Sequence, residues 1–474
     1  MATILSGPAL FFLLQLLDPP LGMPTPAWTL VCLLTWMVAW WLSEALPLAA
    51  TALLPIIVMP LTGIAELRLV TQAYGHPLVF LFLGGFMLAM AIESVGLHRR
   101  MALGIVSRVG TRPPNIMLGF MVATAFLSMW ITNTAATILM YAVALSIIEF
   151  VRKNSGTLNG KNERSFAIGL MLAVAYSASI GGMATLIGSP VNALLATILA
   201  GEYGISIEFV DWLLIGLPAT VIMLLGAWGL MAFFIHRTGG AIHEDLGPVI
   251  AAERAHLAPM GTAEVVVACI FALAAVGWIF GDPISRATGL PISDTTVALG
   301  AAVLLFATPV NSKMNRFALD WPTALKLPWG VLILIGGGLA VALAFQTTGL
   351  AQWIGERVSG VQIATFALVL LITLLMVFLT EIMSNPASAA TIIPVVSAIA
   401  VGLDLSPLIL AVPAALAANM SFMMPVATAP NAIVFSNPLM KIIDMVRAGI
   451  ILNLLGIVVC TVLVYFVMRP LFGW

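Results

Sequence analysis

Apolar runs of helical length follow one another along this chain of 474 residues, separated by short polar breaks. They lie near 5–18, 27–46, 48–62, 78–97, 115–151, 165–200, 210–235, 263–281, 295–310, 328–348, 361–402, 406–437 and 447–468. A helix needs about 20 residues to cross a bilayer, and the runs are continuous rather than alternating as in a membrane β-barrel. The pattern predicts an all-α polytopic protein with about 11 transmembrane helices. Four runs do not fit a single crossing. Residues 115–151, 361–402 and 406–437 are too long and too polar at their middles, and 165–200 contains Gly181-Gly182 and Gly188-Ser189-Pro190.

The polar interruptions are paired. Ser128-Met-Trp-Ile-Thr132-Asn133-Thr134-Ala135 matches Thr380-Glu-Ile-Met-Ser384-Asn385-Pro386-Ala387, with the asparagines 385 − 133 = 252 residues apart. Gly84-Gly85 and Gly336-Gly337 repeat at the same interval. Gly188-Ser189-Pro190-Val191-Asn192 matches Ala427-Thr428-Ala429-Pro430-Asn431, at 431 − 192 = 239. Polar groups inside hydrocarbon-length segments are costly unless buried against protein, ion or ligand. Matched interruptions in two halves mark the binding site of a secondary transporter.

Basic residues orient the first long run. His98, Arg99, Arg100, Arg108 and Arg112 precede it, and Arg152, Lys153, Lys161 and Arg164 follow. Positive charge marks the cytoplasmic side, so both ends lie there. Two full crossings satisfy this, as does a re-entrant hairpin with Thr132-Asn133-Thr134 at its tip. Recurrence of the tip favours the hairpin. The 361–402 run is flanked by Glu356, Arg357 and Asp404 without a basic cluster, which places it on the other side. One hairpin from each side is the arrangement of an inverted repeat. The expected division is a first repeat over 1–235, a cytoplasmic linker over 236–262 and a second repeat over 263–474. The linker carries Arg237, Glu244, Asp245, Glu253 and Arg254.

Composition agrees. The chain is 61% hydrophobic and 8% charged, with a mean hydropathy of +1.12, against about 25% charged in a soluble domain. The net charge of −1 gives no hint of nucleic-acid binding. Cys32, Cys269 and Cys460 sit singly in apolar runs, as reduced thiols without metal spacing. The first basic residue is Arg68, so no signal peptide is expected and the first apolar segments stay in the mature protein. Enzyme chemistry has no foothold. No His-Glu-x-x-His occurs, no Asp pair stands within spans, and the histidines (76, 98, 236, 243 and 256) lie in loops or at span ends.

At a hairpin tip the second helix begins in the motif, so its free N–H groups and dipole favour an anion. Asn and Thr oxygens, with carbonyls of unwound backbone, ligate a hard cation such as Na⁺. Neither Thr132-Asn133-Thr134 nor Ser384-Asn385-Pro386 carries a formal charge. Glu381, beside Ser384-Asn385, is read as a paired or cavity-facing carboxylate in preference to a proton site, and Glu44 as interfacial. Trp36, Trp40 and Trp41 are read as packing or interface anchors, and His98-Arg99-Arg100 as a topogenic loop.

At these residues the chain resembles the divalent anion:sodium symporter family over essentially its whole length. That family carries Ser-Asn-Thr at each of two hairpin tips and a C-terminal signature that fits Asn419-Met-Ser421-Phe422-Met-Met-Pro425-Val426-Ala427-Thr428-Ala429-Pro430-Asn431-Ala432-Ile433-Val434, except that Asn419 stands in place of Ser. Ala175 to Asn192 is equally family-like. The resemblance implies a homodimer in the plasma (inner) membrane working as an inverted-repeat elevator. Its scaffold helices would lie at about 1–110 and 263–350, and the hairpins, broken helices and following helices at about 113–235 and 361–474. It implies sodium at Ser128, Thr132, Asn133 and the backbone near Gly181, and again at Thr380, Met383, Asn385 and the backbone near Ala427. Substrate would lie between the tips, at Asn133, Thr134, Ser384, Asn385, Pro386, Thr428, Ala429 and Pro430. The expected activity is sodium-coupled uptake of a dicarboxylate, sulfate or sulfonate, the alternative being a sodium-independent anion exchanger. Thr132 for Ser keeps a hydroxyl. Pro386 for Thr removes a hydroxyl and an N–H, which disfavours a symmetric dicarboxylate.

Overall fold

Each run too long for one crossing breaks at its polar motif. The computed structural model describes residues 2–110, 112–154, 161–236, 247–311, 316–360 and 362–473. The 115–151 run becomes two helices, Pro113–Ser128 and Asn133–Asn154, and the 361–402 run becomes Thr365–Leu379 and Asn385–Gly402. The 165–200 run divides into Lys161–Gly182, a single 3₁₀ turn at Leu186–Gly188, and Pro190–Tyr203. The 406–437 run divides into Leu408–Ala418 and the short Ala429–Phe435, with non-helical backbone between them.

Local chemistry accounts for the restarts. Ser189 accepts the Val191 N–H and Thr428 accepts the Asn431 N–H, so each caps the helix that follows. Proline stands in the first turn of both helices, where its missing N–H costs nothing, and it bars the preceding helix from running through.

Among the described residues nine helices are long and apolar enough to cross a membrane. They differ in enclosure. The window of Glu163–Gly182 is 94% buried inside the protein and that of Thr262–Thr288 only 22%. The first is therefore the central post and the second a lipid-facing wall, carrying exposed Leu273 and Val276. Lys161–Gly182 packs against both helices of the first tip, against Phe209–Gly229 and against Ala429–Phe435. Leu408–Ala418 is set in the same way among Thr365–Leu379, Asn385–Gly402 and Ile442–Val462. Lipid tails are as apolar as Leu, so close packing drives such contacts rather than water exclusion. Gly181 makes a particularly close one: a Cβ there would overlap the Ala125 carbonyl.

Three expectations change. The run expected over 295–310 ends as helix at Ala307, because Pro309 holds Thr308 extended, and Pro309–Asn311 then pairs antiparallel with Arg316–Phe317. His98-Arg99-Arg100 is not a loop but the first turn of Leu97–Val109. Its arginines are paired, Arg99 with Glu253 at 3.1 Å and Arg100 with Glu264 at 2.9 Å, which lets the helix form despite its basic start. The 236–262 stretch contains a helix, Gly247–Ala255, packed on Leu97–Val109. Arg237, His243, Glu244 and Asp245 of that stretch lie outside the described residues. Trp36 and Trp40 pack edge to face at 5.2 Å, as anchors should.

Candidate functional site

Both hairpin tips close by the same bond pattern. Ser128 Oγ donates to the Ala178 carbonyl at 2.7 Å and lies 2.5 Å from Asn133 Oδ1. Thr380 Oγ1 donates to the Ala418 carbonyl at 2.9 Å and lies 2.8 Å from Asn385 Oδ1. Each tip is thus latched to the end of its broken helix. The two asparagines beyond the breaks match as well. Asn192 Nδ2 donates to the Gly182 and Thr185 carbonyls at 2.9 and 2.8 Å, and Asn431 Nδ2 to the Ser421 and Met424 carbonyls, both at 3.0 Å. One amide in each half satisfies carbonyls that the broken helix leaves without partners.

Between the tips lies a cavity of about 320 Å³. Thr132, Asn133 and Thr134 line it from the first tip, and Ser384, Asn385 and Pro386 from the second. Ile187 to Pro190 and Ala427 to Pro430 complete the polar wall. Every residue expected to touch substrate is there: Asn133, Thr134, Ser384, Asn385, Pro386, Thr428, Ala429 and Pro430. Phe86, Pro328 and Val331, which the sequence did not single out, supply an apolar wall. Ser189 and Ile187 were visible only as parts of a broken segment.

Among the described residues no Asp, Glu, Lys, Arg or His lines the cavity. Its polarity comes from helix starts at Asn133, Pro190, Asn385 and Ala429. The last belongs to a helix of seven residues and adds little dipole. Proline occupies the first turn of three of the four, so only the helix starting at Asn133 keeps every first-turn N–H. The Oγ of Ser384, at the second tip, is buried with no hydrogen-bond partner among the described residues.

Behind the tips are two clusters of neutral oxygen. The first joins Ser128 Oγ, Asn133 Oδ1 and Ala178 O. The second joins Thr380 Oγ1, Asn385 Oδ1, Ala418 O and Ser421 Oγ, the last 3.0 Å from Asn385 Oδ1. Uncharged oxygens of this kind suit a hard monovalent cation. Of the residues expected at the cation sites, Ser128, Asn133, Thr380 and Asn385 fall in these clusters. Thr132 instead accepts the Ala135 N–H at 3.2 Å and caps its helix. The Gly181 carbonyl accepts the Ala184 N–H in the turn. Met383 is buried at the second break, and Ala427 lines the cavity. Ala178, Ala418 and Ser421 were missed. Two act through backbone carbonyls, which leave no trace in the side-chain pattern.

Glu381 is paired, as read. The N–H groups of Phe422 and Met423 donate to its Oε1 at 2.8 and 2.9 Å, that of Met424 to Oε2 at 2.9 Å, and Asn453 Nδ2 to Oε1 at 2.7 Å. Three consecutive N–H groups of unwound backbone need an acceptor away from water, and one carboxylate serves them all. Gly449, on the helix that carries Asn453, lets that backbone approach, since a Cβ there would overlap the Phe422 carbonyl.

Residues 3–474 match the model of the sodium:sulfate symporter transmembrane region. The sodium-dependent dicarboxylate transporter SdcS of Staphylococcus saprophyticus is 38% identical over 475 residues, spanning 99% of this chain and 92% of that protein. SdcS of Staphylococcus aureus strain USA300 is 38% identical over 476 residues, spanning 99% and 91%. Among solved structures, the Alcanivorax borkumensis YdaH transporter superposes with a TM-score of 0.59 at 15% identity, covering 95% of this chain and 99% of that one. Neisseria gonorrhoeae MtrF, described as an antimetabolite efflux pump, superposes with a TM-score of 0.55 at 14% identity, covering 97% of each. At such identities the two structures speak to the fold alone.

Proposed function

The chain belongs to the sodium:sulfate symporter family, and from that premise we propose that it takes up a small divalent anion, a dicarboxylate, sulfate or sulfonate, across the plasma (inner) membrane by coupling it to sodium. It is an integral, multi-pass transporter and not an enzyme, in keeping with its relatives.

The observation that carries the reading is a cavity with no formal charge flanked by two neutral oxygen clusters. An anion cannot be desolvated there on helix dipoles alone. A cation about 4 Å away is worth about 4 kcal/mol at an effective dielectric constant of 20, so ions in both clusters offset a divalent substrate. Ser128 and Asn133 with Ala178 O would hold one sodium ion, and Thr380, Asn385 and Ser421 with Ala418 O the other. Thr132, Met383 and the backbone at Gly181 and Ala427 border these places. The anion would then bind to Asn133, Thr134, Ser384 and the Thr428 to Pro430 turn.

Translocation is by an elevator in a homodimer, with about 113–235 and 361–474 moving against a scaffold of about 1–110 and 263–350. The matched bond pattern of the two tips supports inverted repeats over 1–235 and 263–474, joined by 236–262. The division of the cavity wall supports sliding. The polar groups come from the mobile part, whereas Phe86, Pro328 and Val331 come from the scaffold and have apolar side chains that form no hydrogen bond with substrate.

The test is uptake of labelled succinate and sulfate into proteoliposomes, with and without an inward sodium gradient. Sodium-driven accumulation of either is expected. Exchange for preloaded succinate without sodium dependence would overturn symport in favour of exchange.

A further inference from the structure

The mirror relation between the two broken segments fails at one atom. Asn192 and Asn431 play the same part through Nδ2. At the other end of the amide they differ. Asn192 Oδ1 accepts from Asn419 Nδ2 at 3.3 Å, whereas Asn431 Oδ1 is buried with no partner among the described residues. Asn419 is the residue that departs from the family signature. Its Nδ2 also donates to the Ala415 carbonyl at 3.0 Å, which fixes which end of the amide carries hydrogen. Its Oδ1 accepts from Ser189 Oγ at 2.6 Å. Ser189, Asn192 and Asn419 are 3%, 0% and 1% exposed, so these bonds are shielded from bulk water.

This amide joins two places that, among the described residues, no other side-chain hydrogen bond joins. Toward the first half it holds Ser189, which caps its helix and lines the cavity, and Asn192, which shapes the 182–185 turn. In the second half its backbone follows Ala418, whose carbonyl holds Thr380 in the second oxygen cluster. We infer that Asn419 is a positioning residue that links the two cation sites, so that occupation of one favours occupation of the other. The inference rests on the assignment of sodium to the two clusters. An ion drawing on Ala418 O shifts the adjoining residue, and the Asn419 amide passes that shift to Ser189 and, through Asn192, to Gly182, which lies against Asn133 of the first cluster. Such a link is a coupling free energy and acts in both directions.

The test is the sodium dependence of succinate uptake in proteoliposomes, with sodium-induced thermal stabilisation measured in the absence of substrate. N419S restores the residue of the family signature and should fold and transport. Its half-saturating sodium concentration should rise about threefold or more, with a Hill coefficient falling toward about 1 and the succinate KM at saturating sodium within about twofold. S189A removes the bond to Asn419 together with the cap on the Val191 N–H and should shift sodium dependence in the same direction, and in S189A/N419S the two effects should be less than multiplicative. A sodium curve for N419S that overlays the parent's, or single effects that multiply in the double variant, would overturn the link. If N419S yields no protein, S189A alone decides by the same criterion. S128A and T380A separate the two levels. If they leave sodium dependence intact, the cation sites are wrongly placed. If they abolish it while N419S is silent, only the link fails.

Discussion

Pro386 carries the most chemical information of any one residue, because its counterpart Thr134 sits at the tip that is fully furnished with donors. The first tip offers a hydroxyl and every first-turn N–H, whereas the second offers Ser384 and a proline. An anion with two equal carboxylates therefore binds one end better than the other. A hydrogen bond to a charged group is worth about 1.5–3 kcal/mol, or at least about tenfold in affinity. We expect P386T to lower the KM for succinate relative to sulfate by about that factor, measured as competing uptake at saturating sodium; an unchanged ranking would refute the asymmetry. At this scale the sequence was legible wherever polarity stood against an apolar background, as at Thr132-Asn133-Thr134 and Ser384-Asn385. It was silent on Ala178 and Ala418, since any residue type presents a carbonyl.

Among the helices, the long spans and their breaks were readable, but the short amphipathic helices were not. Leu67–Tyr74, Leu97–Val109 and Leu350–Val358 bury too narrow an apolar stripe to register as runs, and they exist because neighbours cover that stripe. One junction predicts a pH response. His236, just past the 209–235 span, is buried and receives the Ser165 hydroxyl at 3.0 Å on its backbone carbonyl. Burial lowers its pKa from 6.5 to about 4 despite nearby Asp444. Between those values the unfolded chain takes up a proton that the folded protein refuses. The contribution to stability is therefore full above pH 6.5 and is lost as pH falls toward about 4. The melting temperature should drop over that interval. H236N should flatten the drop, and an equal drop in H236N would exclude this residue as its source.

For the whole molecule, function depends on bringing together segments 252 residues apart (385 − 133) in an uncharged cavity. This predicts ordered stabilisation. Sodium alone should raise the melting temperature, by an amount that corresponds to about 2.7 kcal/mol per site at a hundred times its Kd. Succinate or sulfate should add to this in sodium but do little in choline, because nothing in the cavity carries the compensating charge. Equal stabilisation by the anion in choline would contradict the site. The sequence by itself determined that the chain is a helical membrane protein, where its helices break and which polar residues line the cavity. Bilayer transfer is costly enough to confine polar groups to places where they are used, so their positions along the chain are informative. Only the tertiary structure decided which carbonyls complete the oxygen clusters and which apolar residues face the cavity. It also showed that Glu381 pins unwound backbone and that Asn419 spans the two halves. Those relations are distances between remote segments, set by how helices pack, and a linear pattern of polarity does not encode them.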